Sequence, residues 1–164
     1  MVDSGSPDDF ELAARTALSG DLDDVDLDAF SVTFNLFRAY AQLQRRLEAE
    51  VYRPAGLSAA GFRILFTLRV LGELEPRQLA SRSGVSTAAT SGVVTTLERD
   101  ALVARAPHPT DGRRQLVRLT AAGADLVVEV YRRQNELEKT LVDGVPEADR
   151  GVASAVLRRL TRRG

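Results

Sequence analysis

Two amphipathic segments, Arg77 to Ser83 and Ser86 to Asp100, are separated only by Gly84-Val85, and this succession constrains the fold more than any other feature. Helices joined by so short a turn must cross closely. The crossing wants a small residue at the contact, a turn residue tolerant of left-handed backbone, and apolar anchors on the second helix. Ala80 and Gly84-Val85 supply the first two, and Ala89, Val93 and Leu97 form the expected inner stripe of the second helix. That phase turns Thr87, Ala88, Ser91 and Thr95 outward, with Ser86 at the helix start. The pair is a helix-turn-helix candidate. Small hydroxyl and methyl groups suit base edges in a DNA major groove. A solvated helix shows the same kind of face. Without Arg, Lys, Asn or Gln there, bidentate base contacts are missing, so DNA shape is expected to contribute to recognition.

Immediately downstream, Leu102 to Ala106 and Gln115 to Leu119 are β-compatible runs around the turn-rich segment Pro107-His-Pro-Thr-Asp-Gly-Arg-Arg114. Asp111-Gly112 is the expected hairpin turn. A basic hairpin that follows a helix-turn-helix reads as a wing. Arg113 and Arg114 at its tip suit a narrow minor groove, Arg105 and Arg118 on its strands suit flanking phosphates, and Arg77 adds a cation on the first helix. Asp111, a poor DNA ligand, is expected to shape the turn and to hold an arginine by a charge-assisted hydrogen bond.

The flanks read as helices. Residues 1–7 are small and polar and are expected to be loose. Asp8 to Leu18 forms a short helix, and Asp21 to Asp28 alternates acid with apolar residues. A calcium loop would need a central Gly and a terminal Glu, so a solvated linker and helix start is the better reading. One long helix is expected from Asp28 to Arg53, striped by Phe30, Phe34, Phe37 and Ala41 and stopped by Pro54 and Gly56. Ser58 caps a helix running to Gly72, and Thr120 caps another with Leu126, Val127, Val130, Leu137 and Leu141 inward. Glu147 to Arg163 is a last amphipathic helix carrying Val152, Val156 and Leu160.

Composition narrows the function classes. The chain has no cysteine, which removes disulfides and thiolate metal sites. Its one histidine, His108, lies between two prolines and reads as an exposed wing residue rather than a metal ligand. No catalytic set, metal site, cofactor or phosphate loop is expected. No apolar run is long enough to span a membrane and no leader segment is read, so a cytoplasmic protein is expected. The net charge of −1 hides a division. Residues 1–30 hold nine acids and one base, and the remainder holds 14 acids and 21 bases, nearly all arginine. The body is thus cationic and suited to an anionic partner. The arginines of Arg158-Arg159 and Arg162-Arg163 at the last helix end favour its dipole and solubility.

Three stretches together resemble the MarR family of bacterial transcription regulators. They are Arg77-Gln-Leu-Ala-Ser-Arg-Ser-Gly-Val-Ser, Leu97-Glu-Arg-Asp-Ala-Leu-Val, and Pro109-Thr-Asp-Gly-Arg-Arg-Gln-Leu-Val-Arg-Leu-Thr-Ala-Ala-Gly123. The resemblance covers roughly Phe34 to Leu126, with the wing pattern on Asp111, Arg113, Leu119, Thr120 and Gly123. It implies a mostly α fold with a small β-hairpin wing, paired into a homodimer through N- and C-terminal helices. On this reading residues 1–27 form an acidic extension, 28–56 an N-terminal dimerisation helix, 57–120 the winged helix-turn-helix, and 121–164 the C-terminal dimerisation helices. The family implies binding to double-stranded DNA at a pseudo-palindromic operator, repression of nearby genes, and release by a small phenolic or anionic effector. Phe37, Arg38, Tyr40 and Phe66 are the candidate effector pocket, although aromatic residues on such a stripe also suit a core or dimer interface.

The sequence departs from the family pattern in places. Ala101 stands where glycine is common, and Gly92 and Thr96 stand where relatives carry larger polar or basic side chains. The acidic N-terminal helix resembles an extension in some urate-responsive relatives, but the chain lacks tryptophan and that ligand is not transferred. A winged-helix architectural or protein-interaction module without a small-molecule switch is the alternative function.

Overall fold

The computed structural model describes residues 7–162, which form seven α-helices and a two-stranded antiparallel sheet. The looseness read for residues 1–7 falls, but for Pro7, outside the described residues, and so does the role read for Arg163. The chain divides into two units, residues 1–45 and 46–164.

The first unit holds α1 (Pro7–Asp21) and nearly all of α2 (Leu27–Arg46). Asp8 and Asp9 lie in the first turn of α1, where the helix dipole favours negative charge. The acidic linker ends in a cap, because Asp26 Oδ1 accepts the backbone N–H groups of Asp28 at 3.0 Å and Ala29 at 2.8 Å. Phe34 stacks on Phe10 and Phe30 at centroid distances of 5.7 and 5.3 Å, so α1 covers this part of the aromatic stripe. Phe37 is not covered and is 72% exposed. Polar contacts fix the pair: Arg15 donates to the Leu27 carbonyl and the Ser31 hydroxyl, each at 2.7 Å, and Asn35 donates to the Glu11 carboxylate at 2.7 Å. Hydrogen bonds from Ser31 and Asn35 hold the Glu11 carboxyl below its ordinary pKa.

The helix expected to run unbroken to Arg53 changes its winding at the start of the second unit. It is α-helical to Arg46, π-helical over Leu47–Tyr52, and 3₁₀ over Arg53–Ala55 before Gly56 turns at φ 71°. An α-helix would place Tyr52 about 140° around the axis from Leu47. The wider π turn brings both residues, with Val51, to the buried side. The Tyr52 hydroxyl donates to Gln134 Oε1 at 2.9 Å, and burial pushes its pKa up to about 12.

Helix α3 (Ala59–Leu71) forms the centre of this unit, capped by Ser58, whose Oγ accepts the Gly61 N–H at 3.0 Å. It buries Phe62, Ile64, Leu65 and Leu68 against α4 (Pro76–Ser83), α5 (Thr87–Arg99), α6 (Ala121–Leu141) and the sheet. Ile64 and Leu65 are wholly inaccessible, a burial that contributes about 1.5–3 kcal/mol for each side chain. From α6, Val127, Val130 and Leu137 complete the core. Helix α7 (Glu147–Thr161) buries no residue. Among the described residues no single helix is long and apolar enough to cross a membrane.

The sheet pairs β1 (Val103–His108) with β2 (Asp111–Leu119), and Leu74 adds an antiparallel bridge to Val117. The base of the hairpin is tightly joined to α6. Thr120 donates to the Ala101 carbonyl at 2.7 Å and accepts the Gly123 N–H at 3.0 Å. A Cβ on Gly123 would fall 1.9 Å from the Leu102 carbonyl oxygen. This close approach is the physical reason for glycine three residues after Thr120.

Candidate nucleic-acid interface

The helix-turn-helix is α4 and α5, and both helix starts are built by their own side chains. Glu75 and Gln78 form a capping box with Pro76 in the first turn of α4, and Ser86 Oγ accepts the Ala89 N–H at 3.2 Å to start α5. Gly84 makes the turn at φ 65°, and Ala80 and Val85 are buried at the crossing. The inner stripe of α5 keeps only Leu97 of the three expected residues: Thr90 and Val94 are buried with it, while Ala89 is exposed and Val93 half-buried. A threonine serves in this stripe because its hydroxyl donates to the Ser86 carbonyl at 2.9 Å, leaving its methyl for the core.

The outward residues keep their expected side. Thr87, Ala88, Ser91 and Thr95 are all exposed, together with Gly92 and Thr96. Their hydroxyls are not equivalent. Thr95 Oγ1 donates to the Ser91 carbonyl at 3.0 Å and accepts from Arg105 at 3.3 Å. Thr87 and Ser91 have no side-chain hydrogen bond among the described residues. Arg77, Thr87, Ser91 and Arg105 line one cavity of about 140 Å³, so the fold gathers four of the sequence-derived candidates from α4, α5 and β1.

The hairpin turn is not Asp111-Gly112. His108 pairs with Asp111, and Pro109-Thr110 make the turn. The next pair along is Pro107 with Gln115, so one step on β1 answers four on β2, and Gly112, Arg113 and Arg114 form a bulge. Asp111 begins β2 and shapes that bulge by accepting the Arg113 backbone N–H at 3.1 Å. The expected bond from Asp111 to an arginine side chain is replaced by this backbone bond. Proline and threonine occupy the turn because Pro109 presets one backbone angle, and Thr110 N–H donates to His108 Nδ1 at 3.3 Å.

Two wing arginines are already engaged. Arg105 Nε donates to Glu98 Oε2 at 3.1 Å, linking β1 to α5. Arg114 pairs with Glu75, linking β2 to the start of α4. Arg113 and Arg118 are exposed and have no ion pair among the described residues. Glu75 and Glu98 were missed from sequence, since nothing in a linear reading brings a helix-capping acid and a helix-end acid to strand arginines.

The four effector-pocket candidates fall in different units. In the first, Phe37 and Tyr40 are exposed on α2, and the Arg38 guanidinium lies 5.3 Å from the Phe34 ring centroid. In the second, Phe66 stands between Phe62 and Tyr131 in a run of stacked rings that begins at Tyr52. Among the described residues, no three His, Cys, Asp or Glu side chains are grouped to hold a metal ion.

Two crossing helices followed by a basic hairpin packed against them define a winged helix-turn-helix, a DNA-binding module. Residues 57–114 match the model of the MarR family. The chain is 32% identical over 139 residues to the uncharacterized HTH-type transcriptional regulator YwaE of Bacillus subtilis, covering 85% of this chain and 81% of that protein. It is 31% identical over 101 residues to the HTH-type transcriptional repressor YetL of Bacillus subtilis, covering 60% of each. Among solved structures, Bordetella bronchiseptica BpsR, whose DNA binding is regulated by 6-hydroxynicotinic acid, superposes with a TM-score of 0.72 at 27% identity. The match covers 79% of this chain and 92% of BpsR. The chain belongs to the MarR family, and it is a DNA-binding transcriptional regulator rather than an enzyme.

Proposed function

We propose that two copies of the chain pair through their terminal helices, bind an inverted-repeat operator as a repressor, and leave it when a small hydroxylated aromatic or anionic molecule binds. The observation that carries this reading is the uncovered apolar surface at both ends of the chain. On α2, Val32, Leu36, Phe37 and Tyr40 are exposed, and on α7, Val152, Val156, Leu157 and Leu160 are exposed, with Val152 at 62%. Apolar side chains at helical spacing with nothing over them mark an association surface. Pairing of identical faces gives a two-fold dimer, which matches a palindromic DNA site. YetL, a repressor, supports the sign of regulation, and BpsR supports a hydroxylated aromatic acid as the class of effector.

Direct contacts are assigned to Arg77, Ser86, Thr87, Ala88 and Ser91 on the helix-turn-helix and to Arg113 and Arg118 on the wing. The test is selection of bound sequences from random DNA, followed by challenge of the selected complex with a panel of hydroxybenzoates and hydroxynicotinates. The reading expects an enriched inverted repeat and release by at least one member of the panel. Failure to enrich any inverted repeat favours the architectural module instead.

A further inference from the structure

We propose that Arg105 and Arg114 are positioning residues that lock the wing onto the helix-turn-helix through Glu98 and Glu75, rather than cations that meet DNA phosphates. This deepens the interface assigned above and rests on the wing being a DNA contact.

Four arginines on the hairpin and its bulge look equivalent in a charge count, but their surroundings differ. Arg105 reaches from β1 to the end of α5, where Glu98 Oε2 lies 3.1 Å from Nε and Thr95 Oγ1 lies 3.3 Å from a terminal nitrogen. Arg114 reaches from the β2 bulge to Glu75. Glu75 is the better fixed partner, with a side chain 19% exposed against 48% for Arg114. Glu75 also belongs to the capping box of α4, in which its backbone N–H donates to Gln78 Oε1 at 3.3 Å, so it is tied to the start of that helix. A backbone bridge holds the two segments in place, with Leu74 N–H donating to the Val117 carbonyl at 3.1 Å and Val117 N–H to the Leu74 carbonyl at 2.8 Å.

The two struts grip opposite strands and end on opposite helices of the helix-turn-helix. The Arg114 strut acts at the bulge, where register is lost and strand pairing alone cannot fix the backbone. An arginine engaged in this way releases little counterion charge when DNA arrives. Arg113 and Arg118, which have no ion pair among the described residues, are left to supply the wing's salt-dependent binding. Glu75 and Glu98 thereby hold the wing against the helix-turn-helix without touching DNA.

The test uses the full chain and four variants: Glu75→Gln, Arg114→Gln, the double variant, and Arg113→Gln as the reference. Gln at 75 keeps a carbonyl for the α4 cap. Hydrogen exchange of the wing amides is read in the free protein. Salt dependence is read on a duplex of unrelated sequence, so the result stands even if no operator is found. Glu75→Gln and Arg114→Gln are each expected to speed exchange over residues 111–117 several-fold, with no further gain in the double variant. Arg114→Gln is expected to keep the wild-type salt slope, while Arg113→Gln lowers it by about 0.9. A comparable fall for Arg114→Gln, or wing exchange unchanged in both single variants, overturns the proposal. Arg105→Gln and Glu98→Gln repeat the test on the other strut.

Discussion

Asp111 and Arg113 divide their work within three residues of the wing. The aspartate accepts the Arg113 backbone N–H and so fixes the bulge, leaving the arginine side chain exposed and unpaired among the described residues. In the proposed interface Arg113→Ala weakens specific DNA binding by about 1–3 kcal/mol and lowers the salt slope by about one, read by titration across salt concentrations. Affinity unchanged at every salt concentration would remove Arg113 from the interface. Ala101 makes a second residue-scale case. It holds a left-handed φ of 56° where glycine is common in the family, and its carbonyl accepts from Thr120. An L side chain in that conformation costs about 1–2 kcal/mol, part of which is offset by the extra freedom glycine gives the unfolded chain. Ala101→Gly is therefore expected to raise stability by about 0.5–1 kcal/mol in urea unfolding, whereas a loss would show that the methyl group makes a contact of its own.

At the scale of elements, the wing is held as a third partner of the two crossing helices. Strand β1 reaches α5 through Arg105, β2 reaches the start of α4 through Arg114, and the hairpin base meets α6 at Gly123. Gly123→Ala would drive a methyl group into the Leu102 backbone, and a loss of about 3 kcal/mol with a displaced wing is expected from thermal unfolding and wing amide shifts. A neutral substitution would contradict the close approach. Much of this level was legible in the sequence, because caps and turns depend on local chemistry. Ser58, Gly84, Ser86 and Thr120 each mark a boundary by a hydrogen bond or a backbone angle within a few residues. Two of the misreadings share a cause, since each required knowledge of a distant partner. The π turn at Leu47–Tyr52 follows from what Tyr52 packs against, and the stripe through Thr90 follows from where α5 meets the core. The hairpin turn moved to Pro109-Thr110 because Asp111 found its partner in the Arg113 backbone rather than in a turn hydrogen bond.

For the whole molecule, the amphipathic pattern of the terminal helices was legible, but the role proposed for them depends on a second copy of the chain. Helix α7 has no buried residue and carries Val152, Val156, Leu157 and Leu160 exposed. Deletion of residues 147–164 is expected to give monomeric or unstable protein, measured by light scattering with the full chain as control. A stable truncated dimer would move the pairing surface elsewhere. Charge is also a property at this scale. The excess of acid in residues 1–30 and of arginine beyond them gives a near-neutral chain whose remaining body is cationic, so a low overall charge is no bar to DNA binding.

Hydroxyl-radical footprinting on a selected duplex tests the central claim most directly, because it reads minor-groove access on both strands. The account expects two protected minor-groove patches related by a two-fold axis, flanking half-sites about one helical turn apart, and loss of both patches in Arg113→Ala at saturating protein. A single patch, or two patches that survive the substitution, would contradict a paired winged helix that reads DNA through Arg113.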